Sequence, residues 1–470
     1  MRHFPDFRDR DYTLRQFRTP SMTLSLPFRS LCLVCLVAIL SACAVEPVRP
    51  LAVPDLTANP LDQAIAPRAH PRLAVAALDL NGPLDQWDLA RIALAVSPAL
   101  AAARSQVGVA DAQLLASGLL ADPQLSLSFA TGSAAGLVSA LGVGIVTELS
   151  ALLSRAPRRA AAAAAADQIR NDVAWTEWLA INQVRLLVCR IQSLERQREL
   201  VGAATAISAK LLALQRSNLA RGDARIDEVS LSLIADLDTR TRSAALERAL
   251  TGARLALNAA LGVPPGVRLR LDPTAAERRP IPAGAALELA QRALDARYDF
   301  KALREGVHAA DAGLALQKRS ALPLPQLSLS RERDSSAVWT RGISIAADLP
   351  LWNGHRGDIA IADATRAQLA AEYAARASQA YADIFALFAE LDLISQQRSA
   401  LAEELPALRD ANARLTAAAR DGAVAQMAAE SVRAALLDKE LQLLELEQAS
   451  LEARINLDTS VGDFIEEPSS

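Results

Sequence analysis

Apolar positions along this chain follow two spacings, and the same order of spacings occurs twice. A helical stretch is predicted from Leu84 to Leu120 and stops just before Pro123. Next, Leu125, Leu127 and Phe129 alternate with Ser126, Ser128 and Ala130, the period of two that marks a strand. Beyond a small, polar loop, Val143, Ile145, Thr147 and Leu149 repeat that period. A long helix is then predicted from Ala160 to Leu219. Within it Val184, Leu187, Ile191, Leu194, Arg198 and Val201 recur at steps of three and four, a heptad seam made to pack on a neighbouring helix. Some 60 residues at 1.5 Å each give a rod of roughly 90 Å.

The second half repeats the first at an offset of 200 residues. Leu89, Ala93, Arg104 and Ala110-Asp111-Ala112 return as Leu289, Ala293, Arg304 and Ala310-Asp311-Ala312. The hexapeptide Pro-Gln-Leu-Ser-Leu-Ser at 123–128 returns at 325–330. Val184, Leu187, Ile191 and Leu194 return as Ile384, Leu387, Leu391 and Ile394, and Leu257 and Gly262 as Leu457 and Gly462. The chain therefore divides into a first repeat, 84–262 with a strand pair at 123–150, and a second, 287–462 with a strand pair at 325–351. The second repeat's long helix is predicted over Ile359 to Ala419, with Pro406 expected to bend or break it. A Pro- and Gly-rich linker, 263–286, joins the repeats, and 463–470 is a short tail.

Ahead of the repeats lies an export signal. Met22 opens it, Arg29 is its positive flank, and Leu31 to Leu40 is a ten-residue apolar run, too short to span a bilayer of roughly 30 Å. Leu40-Ser41-Ala42-Cys43 closes it and resembles a bacterial lipobox, whose cysteine thiol is lipidated and becomes the mature N-terminus. Residues 1–42 are read as the signal peptide, with 1–21 preceding a complete signal in the manner of a mis-assigned start. Residues 43–83 are read as a lipid-anchored, Pro-rich extended segment. Ala44 after the cysteine favours sorting to the outer membrane.

Composition narrows the function. Hydrophobic residues make up 51% of the chain but aromatics only 4%, so the apolar mass is Ala, Leu and Val, suited to long packed helices. The net charge of −3, with no basic stripe, gives no footprint for nucleic acid. Cys32, Cys35, Cys43 and Cys189 offer no disulfide framework, and His3, His70, His308 and His355 show no metal spacing. No nucleophile elbow is present. The chain reads as a non-enzyme with no cofactor and no metal.

Asp348-Leu-Pro-Leu-Trp-Asn-Gly-His-Arg-Gly357 before an Ala-rich helix resembles the strand exit of the TolC outer-membrane efflux family, in which Pro350 and Gly354 would turn a barrel strand into a periplasmic helix. The resemblance covers about 84 to 462; the first repeat, with Glu148-Leu-Ser-Ala-Leu-Leu-Ser-Arg-Ala-Pro157, lacks the Gly pair. It implies a mainly α fold with a β-barrel portion: long coiled-coil helices in two tandem repeats and four membrane strands per protomer. Since open sheet edges are not tolerated in lipid, it also implies a homotrimer closing a twelve-stranded barrel continued by a periplasmic α-barrel. The expected role is the outer-membrane channel of a tripartite export system, with a periplasmic adaptor and an inner-membrane pump as partners and outer-membrane lipid around the strands. Gly222 and Gly422, where the long helices stop, match the family's adaptor-docking tips only in the glycine. Asp227, Glu228 and Glu430 are the nearest candidates for aperture acids, although the family's own acidic positions in the second repeat fall on Ala428 and Ser431. The alternative is a non-channel envelope lipoprotein acting as a coiled-coil scaffold.

Overall fold

Each repeat becomes two short helices, a strand pair and two long helices. In the computed structural model these are α1 (Gln86–Val96), α2 (Pro98–Gly118), β1 (Gln124–Ala130), β2 (Ala140–Glu148), α3 (Leu149–Arg221) and α4 (Ile226–Leu261). The second repeat has α5 (Ala286–Ala296), α6 (Tyr298–Ser320), β3 (Pro325–Arg333), β4 (Trp339–Ala347), α7 (Arg356–Arg420) and α8 (Gln426–Val461). The structure describes residues 50–465 except 54, 56, 64, 67, 77, 81, 134–136, 273–283, 324 and 422–424. The signal segment with Cys43, the tip glycine Gly422, most of the linker and the end of the tail lie outside the described residues. From Thr57 onward the chain forms one compact unit; before it only 50–53 and 55 are described, in no regular element.

Three boundaries differ from the expectation, each for a local reason. The single opening helix is two helices, bent by 50° between α1 and α2. Ser97 there is extended (φ −61°, ψ 120°), because a residue before proline is pushed out of the helical region. In the second repeat no proline follows, yet Arg297 takes the same conformation (φ −67°, ψ 132°). Its guanidinium holds Asp299 at 2.8 and 3.0 Å and donates to the Ser460 carbonyl at 3.1 Å. Second, α3 begins at Leu149 and runs 73 residues, roughly 110 Å. Leu149 thus belongs to the helix and not to the strand, and Pro157 lies inside the helix, about two turns from its start. The second repeat shifts less, Leu349 falling in the turn after β4. Third, Pro406 does not break α7, which is continuous over 65 residues.

The duplication is visible in the packing. Leu89, Ile92 and Ala93 of α1 close on Val184, Val188 and Ile191 of α3 and on Leu250, Leu257 and Leu261 of α4. At the 200-residue offset Leu289 and Ala293 close on Ile384, Leu457 and Val461. Arg104 donates to the Leu94 carbonyl and Arg304 to the Leu294 carbonyl, each satisfying a terminal acceptor of a short helix. Asp111 pairs with Arg170, and Asp311 with Arg366. Each repeat's last helix ends on a left-handed glycine set against the kink: a Cβ on Gly262 would meet Pro98 Cδ at 2.2 Å, and one on Gly462 would meet Arg297 Cα at 2.8 Å.

Where the repeats meet, the symmetry ends. Trp178, Asn182 and Arg185 of α3 face the end of α8. Arg185, buried, donates to Asp458 at 2.9 Å and Asn182 at 2.6 Å, with its guanidinium 4.5 Å over the Trp87 ring. Trp178 Nε1 donates to the Thr459 carbonyl at 3.3 Å and its ring packs on Phe464. The equivalent positions are Phe385, Asn258 and Ser378, so this grip exists once. The linker is anchored too: Leu84 N–H donates to the Arg270 carbonyl at 2.8 Å, the Leu84 carbonyl accepts from Asp272 N–H at 3.0 Å, and Val263 is buried with the first repeat's core. Asp458→Ala leaves a buried guanidinium without its carboxylate, which costs roughly 3–5 kcal/mol; thermal unfolding of the purified protein should show a markedly lower midpoint, with Glu199→Ala on the exposed face of α3 as a near-neutral control.

Candidate functional site

The sheet is antiparallel in the order β1-β2-β3-β4. The register places Ser126 opposite Gly144, Ser128 opposite Gly142, and Ser330 opposite Gly342, so one face is built of the smallest residues. A Cβ on Gly142 would come within 2.2 Å of the Ser128 oxygen, so the serines already fill the space above the glycines. The other face carries Leu125, Leu127, Phe129, Val143, Ile145, Leu329, Ile343 and Ile345, all exposed, between 41% and 75% of their surface. A wide apolar face turned to the outside is unusual for a chain in water and marks a lipid or protein contact. Neither β1 nor β4 has a second neighbouring strand among the described residues. No single described helix is long and apolar enough to cross a membrane.

The two strand pairs meet their helices differently. β2 passes straight into α3, so Leu152 and Leu153 sit exposed just beneath the sheet. β4 leaves through 348–355, where Pro350 is exposed, Leu351 N–H donates to the Leu349 carbonyl at 2.8 Å, and Gly354 and His355 take left-handed conformations (φ 55° and 53°). Trp352 is 94% exposed in this turn, and Trp339 stands half-exposed at the far end of β4. An apolar band bracketed by two tryptophans has the pattern of a membrane-embedded sheet with aromatic girdles.

At the opposite end of the rods, α3 stops at Gly222 (φ 81°). Gly222 N–H donates to Leu219 and Asp223 N–H to Asn218, a left-handed cap that satisfies the last carbonyls. Arg221 spans the turn through Ser217, Asn218 and Asp223. Asp227 is exposed and bonded to Arg225 at 3.1 Å, and Glu228 accepts from the Arg225 N–H at 3.4 Å. Both stand in the first turn of α4, where the helix dipole favours acids. Glu430 is not beside them. It is buried in α8 with Lys210 of α3 at 3.0 Å and Arg433 at 3.9 Å, while Asp236, also buried, holds Arg240 at 2.7 Å. The structure thus keeps Asp227 and Glu228 together at the surface and uses Glu430 between helices. Cys189 is buried within α3.

Sequence reasoning missed the belt around the rods. The stretch 57–83, expected to be extended, contains a short 3₁₀ turn (Pro60–Asp62) and a tight turn closed by a bridge between His70 and Leu73. Leu73 is buried with Trp87, Trp178 and Phe464. Arg72 reaches Asp463 at 2.9 Å and the Ala296 carbonyl at 3.3 Å. His70 is buried against Trp178 and Tyr298; its Nδ1 accepts from Arg72 N–H at 3.1 Å, which leaves Nε2 to donate to the Ala174 carbonyl at 3.4 Å. The only signal for this belt was the departure of Trp178, Arg185 and Asp458 from the internal repeat.

Residues 289–463 match the family model described as outer membrane efflux protein. No curated protein matches the sequence. Among solved structures, the fold is similar to that of CusC (TM-score 0.67, 19% identity, 85% of this chain and 99% of that one). It is also similar to the outer membrane protein VceC of Vibrio cholerae (0.65, 17%, 82% and 100%) and to the MtrE outer membrane channel of Neisseria gonorrhoeae (0.61, 16%, 86% and 99%).

Burial holds the His70 pKa below its ordinary value of 6.5; Glu177 opposes this and Arg72 and Arg104 add to it. A histidine that resists protonation when folded contributes its full stability above the unfolded pKa and loses it as pH falls below that value. Docking of 57–83 should therefore weaken as the pH falls below the ordinary histidine value of 6.5. Amide exchange or limited proteolysis of this stretch should rise on acidification, and His70→Gln should flatten the dependence.

Proposed function

We propose, on the premise that its second repeat belongs to the outer membrane efflux protein family, that this chain is one protomer of a passive export duct through the outer membrane and periplasm. The observation that carries the reading is the sheet: an exposed apolar face, a Ser/Gly face behind it, and two unpaired edges. In hydrocarbon every unpaired backbone group costs several kcal/mol, so β1 of one copy must pair with β4 of another. Three copies of four strands close a twelve-stranded barrel, with the Ser/Gly face lining the lumen and the aliphatic face in lipid. The rods of roughly 110 Å continue the wall into the periplasm.

The other assignments follow from position. Gly222, and Gly422 by its place in the repeated sequence, are the candidate tips on which a periplasmic adaptor would dock, and an inner-membrane pump would supply the energy. Asp227 and Glu228, exposed just past the first tip, are the acids available to a ring at the entrance; the pairing of Glu430 with Lys210 favours a structural role for that residue. Pro350 and Gly354 turn β4 into α7. Lipidation at Cys43 would tether the belt segment 57–83 to the same membrane. The closed tunnel, not a spacer, is what the paired Ser/Gly and aliphatic faces favour over the scaffold reading.

Full-length protein extracted in detergent should run as a trimer resistant to mild SDS and give single-channel currents in planar bilayers. Leu127→Arg, in the middle of the apolar face, should cost about 2–4 kcal/mol of membrane stability and abolish the SDS-resistant species. A stable monomer without conductance would instead support the scaffold.

A further inference from the structure

The apolar face of the sheet is not apolar throughout. The register sets Leu125, Ile145, Leu329 and Ile343 in one row, then Leu127, Val143, Arg331 and Arg341, then Phe129, Leu141, Arg333 and Trp339 nearest the hairpin ends. Directly opposed residues share a face, so Arg331, Arg333 and Arg341 project with the aliphatic residues, while Glu332 lies on the Ser/Gly face. Arg331 and Arg341 stand directly across from one another, an arrangement that like charges disfavour. Among the described residues none of the three has an ion-pair partner, and Arg333 Nε is shielded from solvent without a hydrogen-bond partner. Arg331 lies 4.8 Å over the Trp339 ring. Three uncompensated guanidinium groups on a lipid-facing surface are costly unless an anion sits among them.

What kind of anion is decided by the surroundings. The helices leave the sheet at the opposite end, so on the conduit reading, on which this inference rests, the arginines lie at the level of the outer leaflet. The same two rows continue across β1 and β2 as Leu127, Val143, Phe129 and Leu141, an aliphatic and aromatic surface suited to acyl chains. We propose that Arg331, Arg333 and Arg341 form a binding site for the phosphate groups of a phosphorylated, acylated glycolipid of the outer leaflet. The planar guanidinium groups pair with phosphate oxygens in bidentate fashion, and Trp339 covers the boundary between headgroup and chains. The bound lipid removes the repulsion between Arg331 and Arg341 and seals the outer rim of the sheet.

The test uses the full-length, lipid-modified protein in detergent, delipidated and then titrated with a doubly phosphorylated acylated glycolipid, with bound lipid counted by native mass spectrometry. The wild type should retain the glycolipid, and Arg331→Gln/Arg333→Gln/Arg341→Gln should weaken it at least about tenfold, the effect of losing one or more charge-assisted hydrogen bonds. Arg341→Gln alone should show a smaller loss, and it serves if the triple variant does not fold. Equal binding by a trimeric, conducting variant would overturn the proposal while leaving the conduit reading intact. Equal binding of the dephosphorylated glycolipid would overturn it as well. So would displacement by millimolar inorganic phosphate, or an equal preference for an anionic glycerophospholipid, since either outcome means the arginines read charge and not this lipid. A wild type that forms neither trimer nor pore would take the conduit reading down together with this one.

Discussion

A strand in hydrocarbon must have a neighbour on each side, because its backbone N–H and C=O groups have no water to turn to. On the reading proposed for this protein, that requirement organises the whole chain. Four strands satisfy the inner pairings of a sheet but leave β1 and β4 each with an open edge among the described residues, which on the proposed reading further copies of the same chain would close. On the same reading, a wall begun by strands would be continued by rods placed at regular intervals, and the two copies of one unit supply them.

Internal repetition alone would leave the two halves free to hinge. The asymmetric grip prevents it. Arg185 and Trp178 of α3 clasp Asp458 and Thr459 of α8, Arg297 ties the second kink to Ser460, and the belt carrying His70, Arg72 and Leu73 is laid across the same junction. A buried ion pair of this kind is poor value as net stability but strict about geometry, since either partner alone is strongly destabilising. Two aromatic rings packed on one another, Trp87 and Phe464, lie against the Arg185 guanidinium, keep water out and fix the planar group. Far from the junction, α7 presents many more exposed residues than α3, as a rod awaiting neighbours would.

The two ends of the molecule differ in how they turn. At the sheet, β2 enters α3 with no intervening loop, whereas β4 needs the eight residues 348–355 and two left-handed positions. Good helix formers after Glu148 let the chain coil at once; Pro350 and Gly354 delay it in the second repeat. At the tip, Gly222 closes the first turn with bonds to Asn218 and Leu219, and the acids beyond it are drawn to the helix start by local capping.

Much of this architecture is written in periodicity. The alternation at 125–130 and 143–147 and the heptads from Val184 onward are local properties, imposed by the pleat of a strand and the pitch of a helix, and the 200-residue repeat places them twice. Boundaries were less legible: the kink at Arg297 has no proline to announce it, because its cause is a salt bridge to Asp299 and a carbonyl 163 residues away. The pairing of Glu430 with Lys210, the burial of His70 and the shared face of Arg331 and Arg341 were likewise hidden. Sequence by itself determined which segments coil, which extend, and that the unit is doubled, since those follow from side chains a few residues apart. Tertiary structure decided which charges are paired, which are left open and how the two copies lock together, because such contacts join residues distant in the chain and depend on the packing that brings them within a few ångströms.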